Sequence, residues 1–265
     1  YYNNDYNAIG SSLKPFANGA AAGFGFKALY NGNIAGMGVN IPKAGEPLLY
    51  TYAYDQLNRM TKMFTYKGLN PNTNSWNVRS LQDYREQVSY DANGNIKSYK
   101  RNGGAARLNM DNLTYSYKLN TNQLDKVTDA APDAAAIEYN QYNDIKQGQT
   151  DGNYKYDETG NLIGDATEKI SNITWTVYGK ISAITKTDGT IITYTYDASG
   201  NRISKAVSGK ETFYVRDASG NVMSIYSKDA AINNGDLTQT EIPMYGSSRL
   251  GVYNLKNNVQ HLDLN

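Results

Sequence analysis

Cysteine is absent from the 265 residues, and histidine occurs only once, as His261. Without a thiol the chain can hold neither a disulfide nor a thiolate-bound metal. One histidine does not supply the constellation of a Ser–His–Asp hydrolase, and we interpret His261 as an ordinary surface or strand-end residue. The sequence therefore predicts a protein that is not an enzyme, with no catalytic residue, no cofactor and no metal site.

An excess of charge of one sign is also missing. The 26 Lys and Arg residues are balanced by 25 Asp and Glu residues, for a net charge of +1. Such a balance provides no electrostatic surface for nucleic acid or for an anionic membrane. No stretch approaches the roughly 20 apolar residues of a membrane span. We therefore expect neither nucleic-acid binding nor membrane insertion.

Tyrosine is the dominant large side chain, with 24 residues against 5 Phe and 2 Trp. It is a strong strand former, and its hydroxyl needs a partner when the ring is buried. Glycine is equally frequent, at 24 residues. This combination favours β-sheets with many closely spaced turns over a dense aliphatic core.

A Tyr-Asp pair followed by a turn rich in Asn and Gly recurs along the chain. The complete copies begin at Tyr54-Asp55, Tyr90-Asp91, Tyr156-Asp157 and Tyr196-Asp197. A fifth copy at Arg216-Asp217 keeps the turn but lacks the tyrosine, and weaker copies cover Tyr30–Ile34 and Tyr117–Leu124. The turn glycines are Gly94, Gly160, Gly200 and Gly220. The uneven spacing differs from that of a regular solenoid, but recurrence of one unit still indicates a repeat architecture.

Each copy predicts a β-hairpin. In Asp197–Gly200, Asp197 occupies the first position of a type I turn, where its carboxylate can accept backbone N–H groups. Gly200 takes the left-handed conformation that closes such a hairpin. Trp175–Ile181 predicts a further strand–glycine–strand element, and Asp188-Gly189 a further hairpin turn. Since a lone hairpin is marginal in water, we expect the hairpins to pair edge to edge.

Two features have alternative interpretations. The repeated aspartates are interpreted as turn caps, because capping needs one Asp in each turn whereas catalysis needs one special pair. Calcium binding at Asp91–Asn95 is the alternative, because this segment resembles the opening of an EF-hand loop. The stripe formed by Tyr50, Tyr52 and Tyr54 is interpreted as cross-strand packing, with stacking on sugars as its alternative.

The remaining expectations concern organisation. The sequence predicts a poorly defined lead-in over 1–45 and one continuous repeat region over 46–265. A short helix is predicted over Thr128–Ile137, and irregular loops are predicted over Leu69–Asn77 and Lys100–Ala106.

The repeat resembles that of the Rhs/YD-repeat proteins, particularly the versions in gliding Gram-negative bacteria with type IX secretion. The resemblance is carried by Tyr156–Gly164, Ile173–Ile181 and Thr195–Ile203, and it extends from about Tyr50 to Tyr226. It implies an all-β fold in which tandem hairpins form a long spiralling sheet or hollow shell, here as a fragment of a larger chain. Many members have a self-cleaving core with Asp-Pro motifs. This chain contains no Asp-Pro dipeptide, so self-cleavage is not carried over.

The resulting hypothesis is a non-enzymatic scaffold of a large secreted or cell-surface protein, which encloses or presents a C-terminal effector. The expected partners are the rest of the same polypeptide, meaning further repeats and the effector, and secretion-system or surface proteins. The alternative hypothesis is a carbohydrate-binding, adhesin-like surface module.

Overall fold

The computed structural model describes residues 28–255 apart from 42, 44, 71, 74, 105–107 and 132–144. The chain divides into two compact units, Tyr1–Gln149 and Thr150–Asn265. Each unit contains one antiparallel sheet. This division lies within the range 46–265, for which the sequence predicts no internal boundary, and the limits 1–45 and 46–265 stay predictions.

The sheet of the first unit has seven strands, which neighbour one another in chain order. They are β1 (Gly36–Val39), β2 (Leu48–Tyr54), β3 (Met60–Asn70), β4 (Ser75–Tyr90), β5 (Ile96–Arg101), β6 (Asp111–Tyr117) and β7 (Leu124–Asp129).

The sheet of the second unit has ten strands, again in chain order. They are β8 (Tyr154–Tyr156), β9 (Leu162–Asp165), β10 (Ile170–Trp175), β11 (Ile181–Lys186), β12 (Ile191–Tyr196), β13 (Arg202–Val207), β14 (Lys210–Arg216), β15 (Val222–Lys228), β16 (Thr238–Tyr245) and β17 (Arg249–Asn254). A short 3₁₀ turn, Asn233–Gly235, precedes β16. The prediction of an all-β chain of antiparallel hairpins is confirmed.

Three local predictions need correction. The loop predicted over Leu69–Asn77 is a tight hairpin, in which Leu69 of β3 pairs with Trp76 of β4. The polar composition of this segment suggested a loop, but Trp76 is buried beside Leu49 and both flanks join the sheet. In the loop predicted over Lys100–Ala106, Lys100 and its neighbour Arg101 end β5 and pair with β6.

The third correction concerns the helix predicted over Thr128–Ile137. Thr128 and Asp129 belong to β7, where they pair with β6. The Asp129 carboxylate accepts the backbone N–H groups of Asn112 and Ala131, at 2.9 and 2.8 Å. Strand pairing and the Asp129 carboxylate supply hydrogen-bond partners for backbone groups that would otherwise be paired within a helix. Residues 132–137 lie outside the described residues.

Hydrophobic burial is sparse. In the first unit Leu49 is completely buried and packs with Trp76, Tyr66, Leu69 and Val78. Among the described residues of the second unit, Ile173 and Pro243 are the only buried residues with apolar side chains. Because so few side chains form a core, the sheets depend strongly on contacts between neighbouring strands.

Candidate functional site

The repeated aspartate forms a compact network inside its own turn. One oxygen of Asp197 accepts the backbone N–H groups of Ser199 and Asn201, at 2.9 and 2.8 Å. The other oxygen accepts the side-chain amide of Asn201 at 3.1 Å. The Gly200 N–H donates to the Asp197 carbonyl at 3.0 Å, and Gly200 has φ +79°. The turn is thus a type I turn followed by a left-handed residue.

The same network recurs in the other copies. Asp55, Asp91, Asp157 and Asp217 each accept the backbone N–H of the residue four positions later. That residue also donates from its side chain, through the Arg59 guanidinium in the first copy and through an Asn amide in the others. Gly94, Gly160 and Gly220 all have positive φ, and Asn58 takes this role after Asp55.

These hydrogen bonds favour the ionised carboxylates. The Asn161 side-chain amide, followed by the Thr159 hydroxyl, lowers the pKa of Asp157 to about 2. The pKa of Asp197 is lowered mainly by the backbone N–H of Asn201. Hydrogen bonds donated to the charged form stabilise that form and lower a pKa in this way.

The calcium interpretation of Asp91–Asn95 receives no support from this geometry. One oxygen of Asp91 accepts the Asn95 N–H and the other accepts the Asn95 side-chain amide, both at 2.8 Å. Across the described residues there is no group of three or more His, Cys, Asp or Glu side chains that could hold a metal ion. Each repeated carboxylate is engaged within its own turn. His261 lies outside the described residues.

The tyrosine of the repeat joins consecutive hairpins. The Tyr90 hydroxyl, at the end of β4, donates to the Met60 carbonyl at the start of β3, at 2.9 Å. The Tyr196 hydroxyl, at the end of β12, donates to the Ile181 carbonyl at the start of β11, at 2.8 Å. In both cases the acceptor is the first strand residue after the previous turn at the same end of the strands. That turn is Asp55–Arg59 for Tyr90 and Thr176–Lys180 for Tyr196. We call this hydrogen bond the inter-hairpin link.

The link also recurs in the first complete copy, in a weaker and in the tyrosine-free copy, and at positions where the sequence shows no copy of the repeat. Further tyrosine links join Tyr54 to Ile34, Tyr117 to Ile96 and Tyr245 to Val222, at 2.8–3.0 Å. Trp175 uses its indole N–H, which donates to the Leu162 carbonyl at 2.8 Å. Arg216 uses its guanidinium, which donates twice to the Arg202 carbonyl, at 3.2 and 3.1 Å. Sequence reasoning missed these partners, although an aromatic residue before every turn of this group except the Arg216 turn was a visible signal.

Side chains of consecutive turns are also connected in the first unit. The Arg59 guanidinium donates to the Asp91 carbonyl at 3.2 Å and lies 4.6 Å from the centre of the Tyr90 ring. Asn93 and Asn95 both donate to the side-chain oxygen of Asn122, at 3.1 and 2.9 Å. The turns, the inter-hairpin links and these contacts together connect consecutive hairpins at the strand ends where the repeated turns lie.

The Tyr50, Tyr52 and Tyr54 stripe is half-buried. The three residues pair with Thr65, Met63 and Met60 of β3. Burial raises the pKa of Tyr50 and of Tyr52, because the charged phenolate is less well solvated there. The Tyr54 hydroxyl is engaged in its inter-hairpin link. This arrangement favours cross-strand packing of the stripe over stacking on a sugar.

Tyr156 and Trp175 complete the predicted repeat positions. Tyr156 ends β8 and pairs with Leu162 across its own hairpin. Trp175 ends β10 and pairs with Ile181. In both cases the register shifts by one residue at the aromatic, as it also does at Tyr54, Tyr90, Tyr196 and Arg216. The repeated aromatic, or Arg216 in its place, thus lies opposite the extra residue of a β-bulge in the strand that follows its turn.

No helix among the described residues is long and apolar enough to cross a membrane.

The capped turns, bulges and inter-hairpin links define a β-hairpin repeat protein of the YD type. The sequence model of the teneurin YD-shell family matches residues 38–228. Because this range covers most of the chain, the chain belongs to the teneurin YD-shell family. The predicted resemblance to Rhs/YD-repeat proteins is thereby confirmed, and the matched region is a structural shell domain.

Among known proteins, the chain is 35% identical over 100 residues to the tRNA nuclease WapA of Bacillus subtilis strain 168. It is 36% identical over 86 residues to the tRNA(Glu)-specific nuclease WapA of Bacillus subtilis subsp. natto. These matches cover 37% and 32% of this chain but only 4% of each relative.

Two solved structures are similar over most of this chain. The crystal structure of TcdB2-TccC3-Cdc42 is matched over 75% of this chain and 9% of that chain, with 15% identity and a TM-score of 0.36. The Photorhabdus luminescens Tc holotoxin pore is matched over 75% of this chain and 16% of that chain, with 12% identity and a TM-score of 0.22. The family assignment rests on the family model and not on these two structures.

Proposed function

We propose that this chain is a wall segment of a closed β-shell in a larger secreted or surface-displayed protein, and that the shell encloses or presents an effector. The observation that carries the proposal is the inter-hairpin link. It recurs in both units with the same acceptor position, the first strand residue after a repeated turn. It joins the ends of consecutive hairpins to one another. A wall needs this property, whereas catalysis does not.

The sparse core supports the same role. A globular enzyme is held together by a dense interior, whereas Ile173 and Pro243 are the only buried residues with apolar side chains among the described residues of the second unit. Its strands are connected mainly through neighbour-to-neighbour hydrogen bonds. Such a sheet can be extended by adding hairpins without rebuilding a core, as in other repeat proteins.

We propose that the effector is a separate part of a longer polypeptide. The two Bacillus subtilis relatives are named tRNA nucleases, and this chain matches only 4% of each. A nuclease is therefore one effector that a shell containing this chain would hold. We further propose export through the bacterial envelope, with secretion-system or surface proteins as the partners for that step.

Protease protection of the natural full-length polypeptide tests the proposal. Any segment that follows residue 265 should resist limited proteolysis in the intact protein and be cleaved rapidly when it is expressed alone. Breaking links with Tyr90→Ala and Tyr196→Ala should increase cleavage of that segment, whereas Tyr194→Phe should not. Equal cleavage rates in the intact protein and in the isolated segment would overturn the proposal.

A further inference from the structure

The sheet of the first unit has two chemically different faces. Residues that pair directly across antiparallel strands place their side chains on the same face. On one face, which we call the tyrosine face, a cross-strand row from β2 to β6 consists of Tyr52, Met63, Glu86, Arg101 and Asp111. The adjacent row on the opposite face consists of Ala53, Lys62, Gln87, Lys100 and Asn112. The tyrosine face therefore combines an aromatic ring with carboxylates, whereas the opposite face presents two lysines.

A second row on the tyrosine face brings another tyrosine close to Glu86. This row consists of Val88, Tyr99, Leu113 and Asp129. Tyr99 lies diagonally opposite Glu86, a spacing that long and aromatic side chains can bridge. Burial, the charge of Glu86 and a hydrogen bond to Glu86 raise the pKa of Tyr99 to about 12. Burial, the phenols of Tyr54 and Tyr50, and the charge of Glu86 raise the pKa of Tyr52. The Glu86 carboxylate thus acts on a tyrosine from each side.

Glu86 is the carboxylate of these two rows that the fold leaves without a cation at ion-pair distance. Arg101 pairs with Glu86 across the strands, but its guanidinium is held by the buried Asp111 at 2.5 Å. Asp129 is buried and accepts two backbone N–H groups, at 2.9 and 2.8 Å. None of the ion pairs between described residues includes Glu86, which is half-buried. Three carboxylates against one guanidinium give the two rows a negative potential.

A carboxylate bordered by tyrosine rings favours an organic cation. An ammonium or guanidinium group is attracted by the face of an aromatic ring as well as by a negative charge. The fold already contains one such contact on this face, since the Arg101 guanidinium lies 6.0 Å from the centre of the Tyr99 ring. On the opposite face the exposed Lys62 and Lys100 would repel the same ligand. Charge complementarity therefore selects both the tyrosine face and a cationic partner.

We propose that the tyrosine face of the first unit binds a basic peptide segment, with a Lys or Arg side chain of that segment against the Glu86 carboxylate and the rings of Tyr52 and Tyr99. A neutral or acidic segment gains nothing from Glu86, so the site discriminates between partners by charge. Neither tyrosine takes part in an inter-hairpin link. The proposal is therefore independent of the shell role, which rests on those links.

Saturation-transfer difference NMR on the 265-residue chain tests the proposal. The probe is Nα-acetyl-lysine amide and the neutral comparator is Nα-acetyl-norleucine amide, and the wild type should bind the lysine probe more tightly. Glu86→Gln keeps the shape of the side chain and removes its charge, so it should weaken lysine binding about tenfold, equivalent to about 1.4 kcal/mol. Glu46→Gln is the matched control, because Glu46 already pairs with Arg79 at 3.0 Å, and it should bind like the wild type.

The aromatic contribution has its own variant. Tyr52→Leu keeps an apolar side chain and removes the ring, so it should weaken lysine binding about two- to fivefold, the range of an exposed cation–π contact. Equal binding of the two probes by the wild type would overturn the proposal, as would an undiminished preference for lysine in Glu86→Gln or an equal loss in Glu46→Gln. Undiminished lysine binding in Tyr52→Leu would overturn the role of the ring. None of these outcomes affects the protease-protection test of the shell.

Discussion

The Arg216 guanidinium donates to the Arg202 carbonyl at 3.2 and 3.1 Å, the position that a tyrosine hydroxyl takes in the neighbouring hairpin. Arg216 begins the one copy of the repeat that lacks its tyrosine. It also donates to the Gly220 carbonyl at 2.6 Å, inside its own turn. The apparent loss of the repeat at this position is therefore a change of donor, with the inter-hairpin link retained.

The exchange of donors at Arg216 is directly testable. Arg216→Tyr should keep stability within about 0.5 kcal/mol of the wild type, the range of a neutral surface change, because a hydroxyl can reach the same carbonyl. Arg216→Ala should lower the free energy of unfolding by about 0.5–1.5 kcal/mol, the net value of a lost hydrogen bond. Urea denaturation measures both variants. Equal destabilisation by Tyr and by Ala would show that the Arg202 contact is not the relevant one.

The tyrosine form of the link predicts a similar effect at Tyr196. Tyr196→Phe removes only the hydroxyl that donates to Ile181 at 2.8 Å, so the free energy of unfolding should fall by about 0.5–1.5 kcal/mol. Tyr194→Phe is the matched control on the same strand, because the ring beside Arg202 is retained. Chemical denaturation of the two variants should separate them. If Tyr194→Phe costs as much as Tyr196→Phe, the link does not stabilise the sheet.

The capped turns predict a decline in stability at acid pH. Hydrogen bonds from Asn161 and Thr159 lower the pKa of Asp157 to about 2, below the ordinary value of 3.8. A carboxyl with a lowered folded pKa contributes stability that is present above the unfolded pKa and is lost as pH falls through the folded pKa. The thermal midpoint should therefore fall between about pH 4 and pH 2.

Asp157→Asn isolates this contribution. The variant should be less stable than the wild type at pH 7, because an amide nitrogen now faces the donating Asn161 side chain. The gap between the two proteins should narrow toward pH 2, where about half of the wild-type carboxyls are protonated. Glu158→Gln, in the same exposed turn, is the control and should follow the wild-type curve. A gap that stays constant from pH 7 to pH 2 would contradict the assignment.

We expect truncation of Leu49 to cause the largest loss of stability of any single substitution in the first unit. It is completely buried against Trp76, Tyr66 and their neighbours, so Leu49→Ala should destabilise by about 2–5 kcal/mol through lost burial and a new cavity. Leu57→Ala is the control, because Leu57 is 66% exposed at a turn, and it should stay within about 0.5 kcal/mol of the wild type. A small effect at Leu49 would mean that this cluster is not a core.

Sequence alone was sufficient for the capped hairpins of the repeat, because their determinants are local. In Asp197–Gly200 the cap, the turn and the left-handed glycine lie within four consecutive residues, so the type of turn can be inferred from residue chemistry. The same holds for Asp188-Gly189, whose Gly189 has φ +86°. The all-β class follows because these units recur throughout the chain.

Tertiary structure decided which backbone groups and strands these hairpins contact. The acceptor of the Tyr90 hydroxyl is a backbone carbonyl 30 residues earlier, and every residue offers the same carbonyl, so no side-chain pattern identifies it. Pairing with β6 likewise placed Thr128 and Asp129 in a strand, although the alanine-rich segment that follows favours a helix. Turns were determined by neighbours in sequence, whereas inter-hairpin links and strand ends were determined by neighbours in space.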